Sequence, residues 1–178
     1  MLISLRADKT RRICFDALLA ATAMLLSYLE TVIPLQLLIP LPGIRLGLAN
    51  LAVVTVFALV SPLDAALVSA VRIFATGLLF GSVTSLYFSA LGGLCAFFML
   101  LLLSYVGKSM SFVGVSILSA AAHNAGQILA AVTLFDLSLL FSYLPMLLLA
   151  AILCGGAVGA LLNLTLPRLQ RILEGGRV

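Results

Sequence analysis

The feature that most constrains this chain is the scarcity of charge along its length. From Ile13 to Thr165 only seven residues are charged: Asp16, Glu30, Arg45, Asp64, Arg72, Lys108 and Asp136. The apolar runs between the breaks approach the roughly 20 residues that a helix needs to cross about 30 Å of hydrocarbon. A soluble domain typically has about 25% charged residues, and this one has 9%. A chain so poor in charge cannot cover a water-facing surface, so it reads as an all-α membrane protein, a bundle of about six transmembrane helices forming a single integral membrane domain over 1–178.

The breaks set the spans. Pro34, Pro40, Pro42 and Gly43 end the first and make the one substantial loop. Ser61-Pro62-Leu63-Asp64, Gly81-Ser82 and Gly107-Lys108-Ser109 are tight turns, and Asp136 to Ser142 makes the last. The spans fall near 13–33, 44–60, 63–80, 84–106, 112–134 and 141–165. The second and third are short. The basic N-terminal stretch resembles a signal peptide, but its apolar run has spanning length and no soluble domain follows it, so an uncleaved first helix is the expectation.

The net charge is +4, and eight of the ten Lys/Arg cluster at the ends or at Lys108. An even number of spans puts these on one side. Positive charge marks the cytoplasmic side, so both termini are expected in the cytoplasm, with the protein in the cell membrane. This distribution fits orientation in a bilayer rather than nucleic-acid binding.

Cys14, Cys95 and Cys154 stand apart in apolar sequence and read as small buried hydrophobes. Small residues in the first span (Ala17, Ala20, Ala21, Ala23) and the last (Gly155, Gly156, Gly159, Ala160) suit close helix packing. No heptad or internal repeat is evident.

The informative residues are polar ones inside the spans, because a charge at the bilayer centre is costly unless paired or facing a polar cavity. Arg72 lies halfway along the third span, too far from either end to snorkel. It is expected in the bundle interior, held by backbone carbonyls and Asn side chains or meeting an anionic or carbonyl-bearing ligand. His123 and Gln127 are four apart and share one face of the fifth span. Asn124 lies beside them, and their neighbours are small. A single His without Cys partners does not suggest a metal. Asn50 sits inside the second span, where helix–helix hydrogen bonding and ligand contact are both open. Arg45 lies near the outer interface, and Glu30 ends the first span as an interfacial, solvated carboxylate. Together these residues describe an outward-open cavity, where transporters place substrate.

Enzyme chemistry lacks its usual groups. The chain has no P-loop, GxGxxG, HExxH or GxSxG, and no paired carboxylates to hold magnesium on a diphosphate. No catalytic residue, metal or cofactor is expected, and ATP-driven transport would need ATPases in trans.

Pro42-Gly43-Ile44-Arg45-Leu46-Gly47-Leu48-Ala49-Asn50, Arg72 followed by Gly77-Leu78-Leu79-Phe80-Gly81, Gly92-Gly93, Gly114-Val115-Ser116 and Ala122-His123-Asn124-Ala125-Gly126-Gln127 resemble the bacterial Gx transporter family, also labelled heptaprenyl diphosphate synthase component I. The likeness runs along nearly the whole chain. That family is similar in size and topology to the substrate-binding S components of energy-coupling factor (ECF) transporters. The resemblance implies capture of a vitamin-like or cofactor-precursor-like molecule from outside, with Arg45, Asn50, Arg72, His123, Asn124 and Gln127 as substrate-binding positions. It implies docking on a transmembrane coupling subunit through an AxxxA pattern, here Ala17 and Ala21. The synthase label leaves a second expectation, a noncatalytic membrane partner in heptaprenyl diphosphate or quinone synthesis. A third is an accessory of extracytoplasmic flavin or electron-transfer machinery. The ligand expected from Arg45, Arg72 and His123 in apolar surroundings is anionic or amphipathic.

Overall fold

The structure, a computed structural model, describes residues 9–32, 47–106, 110–135 and 144–175. Six helices follow one another: α1 (Lys9–Val32), α2 (Asn50–Leu59), α3 (Pro62–Phe80), α4 (Val83–Val106), α5 (Phe112–Phe135) and α6 (Leu144–Gly175). No strand occurs among the described residues. All but α2 are long and apolar enough to cross a membrane.

Serines start three of the helices. Ser61 caps α3: the Asp64 N–H donates to Ser61 Oγ (3.2 Å), and that hydroxyl donates back to Asp64 Oδ2 (2.6 Å). Pro62 follows at the first helical position, where its missing N–H costs nothing. Ser82 Oγ accepts from the Ser85 N–H (3.1 Å) and Ser111 Oγ from the Gly114 N–H (3.2 Å). Each serine satisfies an orphan donor of the first turn. Ser61 and Ser82 stand in turns read from the sequence, and Ser111 lies two residues beyond the turn read at 107–109.

The second span departs from expectation. Of 44–60, the described part is helical only over Asn50–Leu59, about 15 Å at 1.5 Å per residue. That is half a membrane. Gly47 adopts φ +82°, a conformation that favours glycine, and its carbonyl accepts from the Asn50 N–H (3.0 Å) in a turn. The chain therefore enters α2 deep inside the protein. Seven of its ten residues are buried, because a helix apolar on every side belongs in a core.

Helix directions follow from paired contacts. Arg12 meets Asp64 near the starts of α1 and α3 (2.7 Å). The rings of Tyr28 and Phe80 meet at the other ends, with centroids 5.0 Å apart. These two helices are therefore parallel. Gly77 packs on Leu86 and Gly93 on Ile73, so α4 runs back against α3. Gly126 lies under the Leu91 carbonyl, Gly155 on Ile117 and Gly159 on Val113, so α5 and α6 alternate in turn. A Cβ at Gly159 would fall 2.4 Å from Val113 Cα. Such absence of side chains lets membrane helices touch backbone to backbone. This order brings Lys9, Arg11 and Arg12 to the same end of the bundle as Arg168 and Arg171.

The core cluster at that end is aliphatic: Val53, Val56, Leu59, Val60, Ala65, Val68, Leu162 and Leu166. Outward-facing positions are apolar as well. Leu18, Leu78, Val83, Phe98, Leu153 and Leu164 are all well exposed. Surface this apolar is a surface for lipid. Cys14 belongs to it: expected to be buried, it is exposed, and Cys95 and Cys154 are half-buried. An apolar side chain is as stable against lipid tails as in the core, so burial is not enforced there.

Candidate functional site

The middle of the bundle is polar. Arg72 of α3, His123 and Gln127 of α5 are each 1% exposed. Asn50 of α2, Ser27 and Glu30 of α1, Ser89 of α4 and Ser119 of α5 are also buried. Arg72 Nη1 donates to Ser27 Oγ (3.3 Å), and Thr76, one turn on, donates its hydroxyl to the Arg72 carbonyl (2.8 Å). Gln127 Nε2 lies 3.2 Å from His123 Nε2.

Glycines give these side chains their room. A Cβ at Gly92 would lie 2.8 Å from His123 Cε1 and 3.0 Å from both ring nitrogens. One at Gly93 would lie 3.9 Å from Arg72 Nη2 and 3.6 Å from Ser69 Oγ. One at Gly47 would lie 3.5 Å from Asn50 Nδ2 and 3.7 Å from His123 Cδ2. The adjacent pair in α4 thus faces His123 on one side and Arg72 on the other. The layer joins α1, α2, α3, α4 and α5 at mid-depth.

Of the six expected substrate-binding positions, four are buried in this layer: Asn50, Arg72, His123 and Gln127. Asn124 turns away from them and donates to the Leu147 carbonyl of α6 (2.7 Å). Its place on the helix, about 100° round from His123, directs it to the α5–α6 contact. Arg45 lies outside the described residues. Glu30 departs from the expected solvated carboxylate. It is 3% exposed and accepts the Leu48 N–H in the turn that leads into α2. Its carboxylate holds the chain where a continuous helix would have run.

Several buried atoms have no hydrogen-bond partner among the described residues: Asn50 Nδ2, Gln127 Oε1, Ser89 Oγ, Ser119 Oγ and Asn124 Oδ1. An unsatisfied buried polar group costs about 1–3 kcal/mol. Native proteins carry few of them, and each calls for a physical explanation such as a bound water or a functional role. Asn124 Oδ1 belongs to the α5–α6 contact; the others offer both donors and acceptors within the polar layer that holds Arg72. Among the described residues, no three His, Cys, Asp or Glu side chains lie together to hold a metal ion.

Ala17 and Ala21 lie elsewhere, exposed on α1. Ala17 lines a cleft of about 690 Å³ between α1 and α3, with Arg12, Asp16, Asp64, Leu67 and Val71. Ala21 lines a second groove with Met24, Leu25, Tyr28 and Phe80. The 690 Å³ cleft therefore follows the outer side of α1 and does not hold the polar layer.

Ser27, Ser89, Ser119, Thr76, Gly92 and Gly93 are site neighbours not singled out as binding positions by sequence reasoning. Signals for three were present: Gly92-Gly93 is an adjacent pair in mid-span, and Thr76 is one turn from Arg72. Serines in apolar helices carry no signal of their own, since they bond back to the helix as readily as to a site.

A lipid-facing bundle of helices around a buried polar layer with an arginine at its centre defines a multi-pass membrane protein with an internal polar site. The chain belongs to the heptaprenyl diphosphate synthase component I family, whose model matches residues 19–165. No curated protein and no solved structure matches it.

Proposed function

We propose that this chain is the substrate-binding membrane subunit of a small-molecule uptake system, similar in plan to the S components of ECF transporters. The observation that carries this reading is the buried layer of Arg72, His123, Gln127 and Asn50. Polar groups are costly in a membrane interior, and functional sites are where they are kept. Among the described residues Asn50 Nδ2 and Gln127 Oε1 have no hydrogen-bond partner, and a ligand with both acceptors and donors supplies them. Arg72 selects for an anionic or strongly accepting group.

In this reading the basic ends lie in the cytoplasm and the protein resides in the cell membrane, by the positive-inside rule. The chain binds rather than catalyses. Energy comes from ATPases in trans, through a coupling subunit that docks along the α1 face with Ala17 and Ala21. Native mass spectrometry of protein gently purified from its own cells tests the reading. Wild-type protein retains a small molecule, and Arg72→Ala loses it along with uptake. No retained molecule, together with unchanged uptake in Arg72→Ala, would count decisively against it.

The family description favours a second reading, a noncatalytic membrane partner of heptaprenyl diphosphate synthesis. In that case the chain co-purifies with a prenyl synthase subunit and raises its activity.

A further inference from the structure

The cleft of about 690 Å³ along α1 and α3 has a chemistry unlike that of the polar layer. It lies towards the basic end of the bundle. Ala20, Val68 and Asp64 line it as buried residues, and Ile13, Leu67 and Val71, each more than half exposed, stand at its sides. Two carboxylates line it, and they are not equivalent. Both oxygens of Asp64 lie 2.7 Å from Arg12 Nη2. Asp16 stands one turn deeper than Arg12 on α1. Its Oδ1 is buried and has no hydrogen-bond partner among the described residues. Lys9 is exposed at the mouth of the cleft, two turns out from Asp16. Ala20 and Val71 lie deeper than Asp16, so apolar walls continue inward from the carboxylate.

We propose that this cleft binds a lipophilic primary amine. Its ammonium sits on Asp16, and its hydrocarbon body lies between α1 and α3 against Ala20, Val68 and Val71. Charge selects a cation: Arg12 is committed to Asp64, which leaves the Asp16 carboxylate to be matched, and a charge at this depth is costly without a partner. The bare Oδ1 selects an N–H donor, because a charge-assisted hydrogen bond is about twice as strong as a neutral one. A quaternary ammonium brings the charge without the donor. The volume suits a small molecule, for which pockets of roughly 300–1,000 Å³ are usual. Depth selects against phosphatidylethanolamine. The phosphate of that lipid lies between its ammonium and its chains, and would have to sit below Asp16 among apolar side chains. A simple alkylamine carries its charge at one end, in the order that the cleft presents. The site is independent of the substrate-binding reading of Arg72. Ala17 lines the same cleft, so an amine bound there and a coupling subunit docked there exclude one another.

The test uses the full chain in phosphatidylcholine nanodiscs and dodecylamine carrying a diazirine at the end of its chain. After irradiation, peptide mapping should place the label on α1 and α3. Unlabelled dodecylamine should displace it, whereas dodecanol and dodecyl phosphate at the same concentration should not. Dodecyltrimethylammonium should need about tenfold more to do so. Asp16→Asn keeps the shape and removes the charge, and should lower labelling about tenfold. So should Ala17→Phe, which fills the cleft from an exposed position and leaves the carboxylate in place. Melting curves beside wild type establish that both variants fold. Labelling spread over all lipid-facing helices, or labelling indifferent to both substitutions, overturns the proposal. Displacement by dodecanol as readily as by dodecylamine overturns the role of charge. Loss of labelling when phosphatidylethanolamine replaces phosphatidylcholine overturns the choice of a free amine and gives the cleft to a lipid headgroup.

Discussion

The imidazole of His123 rests against the bare backbone of Gly92, so closely that a methyl group there would come within 2.8 Å of the ring. The ring's position, and through it the 3.2 Å contact with Gln127, depends on α4 having no side chain at this point. Gly92→Ala should therefore push the imidazole aside. Overpacking of this kind costs about 1–3 kcal/mol. Ligand retention should fall in the variant although it folds, as read by native mass spectrometry beside a melting curve. Retention equal to wild type would show that the ring's placement is immaterial.

The pairing of Arg12 with Asp64 is a second such relationship, and it does structural work. Asp64 accepts from Arg12 at 2.7 Å and from the Ser61 hydroxyl at 2.6 Å. Asp64→Ala removes both contacts where α3 begins beside α1. Loss of a capping group alone costs about 0.5–2 kcal/mol. The expected outcome is a lower melting temperature in detergent, and a drop for Arg12→Met as well, since that variant removes the counter-charge of the buried Asp64 carboxylate. Ligand retention at low temperature should be unchanged, because the pair lies away from the polar layer.

Glu30 makes a comparable prediction at the other end of α1. Its carboxylate accepts the Leu48 N–H in the turn before α2. Glu30→Gln keeps an acceptor and should be mild. Glu30→Leu leaves that N–H unsatisfied and should cost about 1–3 kcal/mol. Hydrogen exchange resolved to peptides should show faster exchange at 47–50 in Glu30→Leu, with α4 and α5 unaffected. Equal exchange in both variants would remove Glu30 from any role in holding the turn.

The orientation is open to a direct check. With the native cysteines replaced, Arg171→Cys should react with a membrane-impermeant maleimide only after cells are opened. Ser82→Cys, at the opposite end of the bundle, should react in intact cells. The reverse pattern would invert the topology.

Much of the fold was legible because membrane helices announce themselves by length and by breaks. Ser61-Pro62, Gly81-Ser82 and Ser111 stand where α3, α4 and α5 begin. The exception is α2. Its apolar run, 44–60, has nearly spanning length, and the positive φ of Gly47 that shortens it is not marked among so many other glycines. The site was legible in part for a related reason. Arg72, His123 and Gln127 contrast with their apolar neighbours, so pattern alone located them. Asn124 has the same contrast but faces α6, and only helix packing decides that. Glu30 was misread because a carboxylate at a span end is ordinarily solvated. Its burial depends on a turn eighteen residues away in sequence.

The central claim is that the buried polar layer binds a ligand, and native mass spectrometry of three proteins purified in parallel tests it most directly. Wild-type protein should carry a small molecule of defined mass. Arg72→Gln should lose it, and Gln127→Leu should retain about a tenth as much or less, the loss expected for a buried hydrogen bond to a polar ligand. All three proteins being empty, or all three carrying the same molecule in equal amount, would contradict the account.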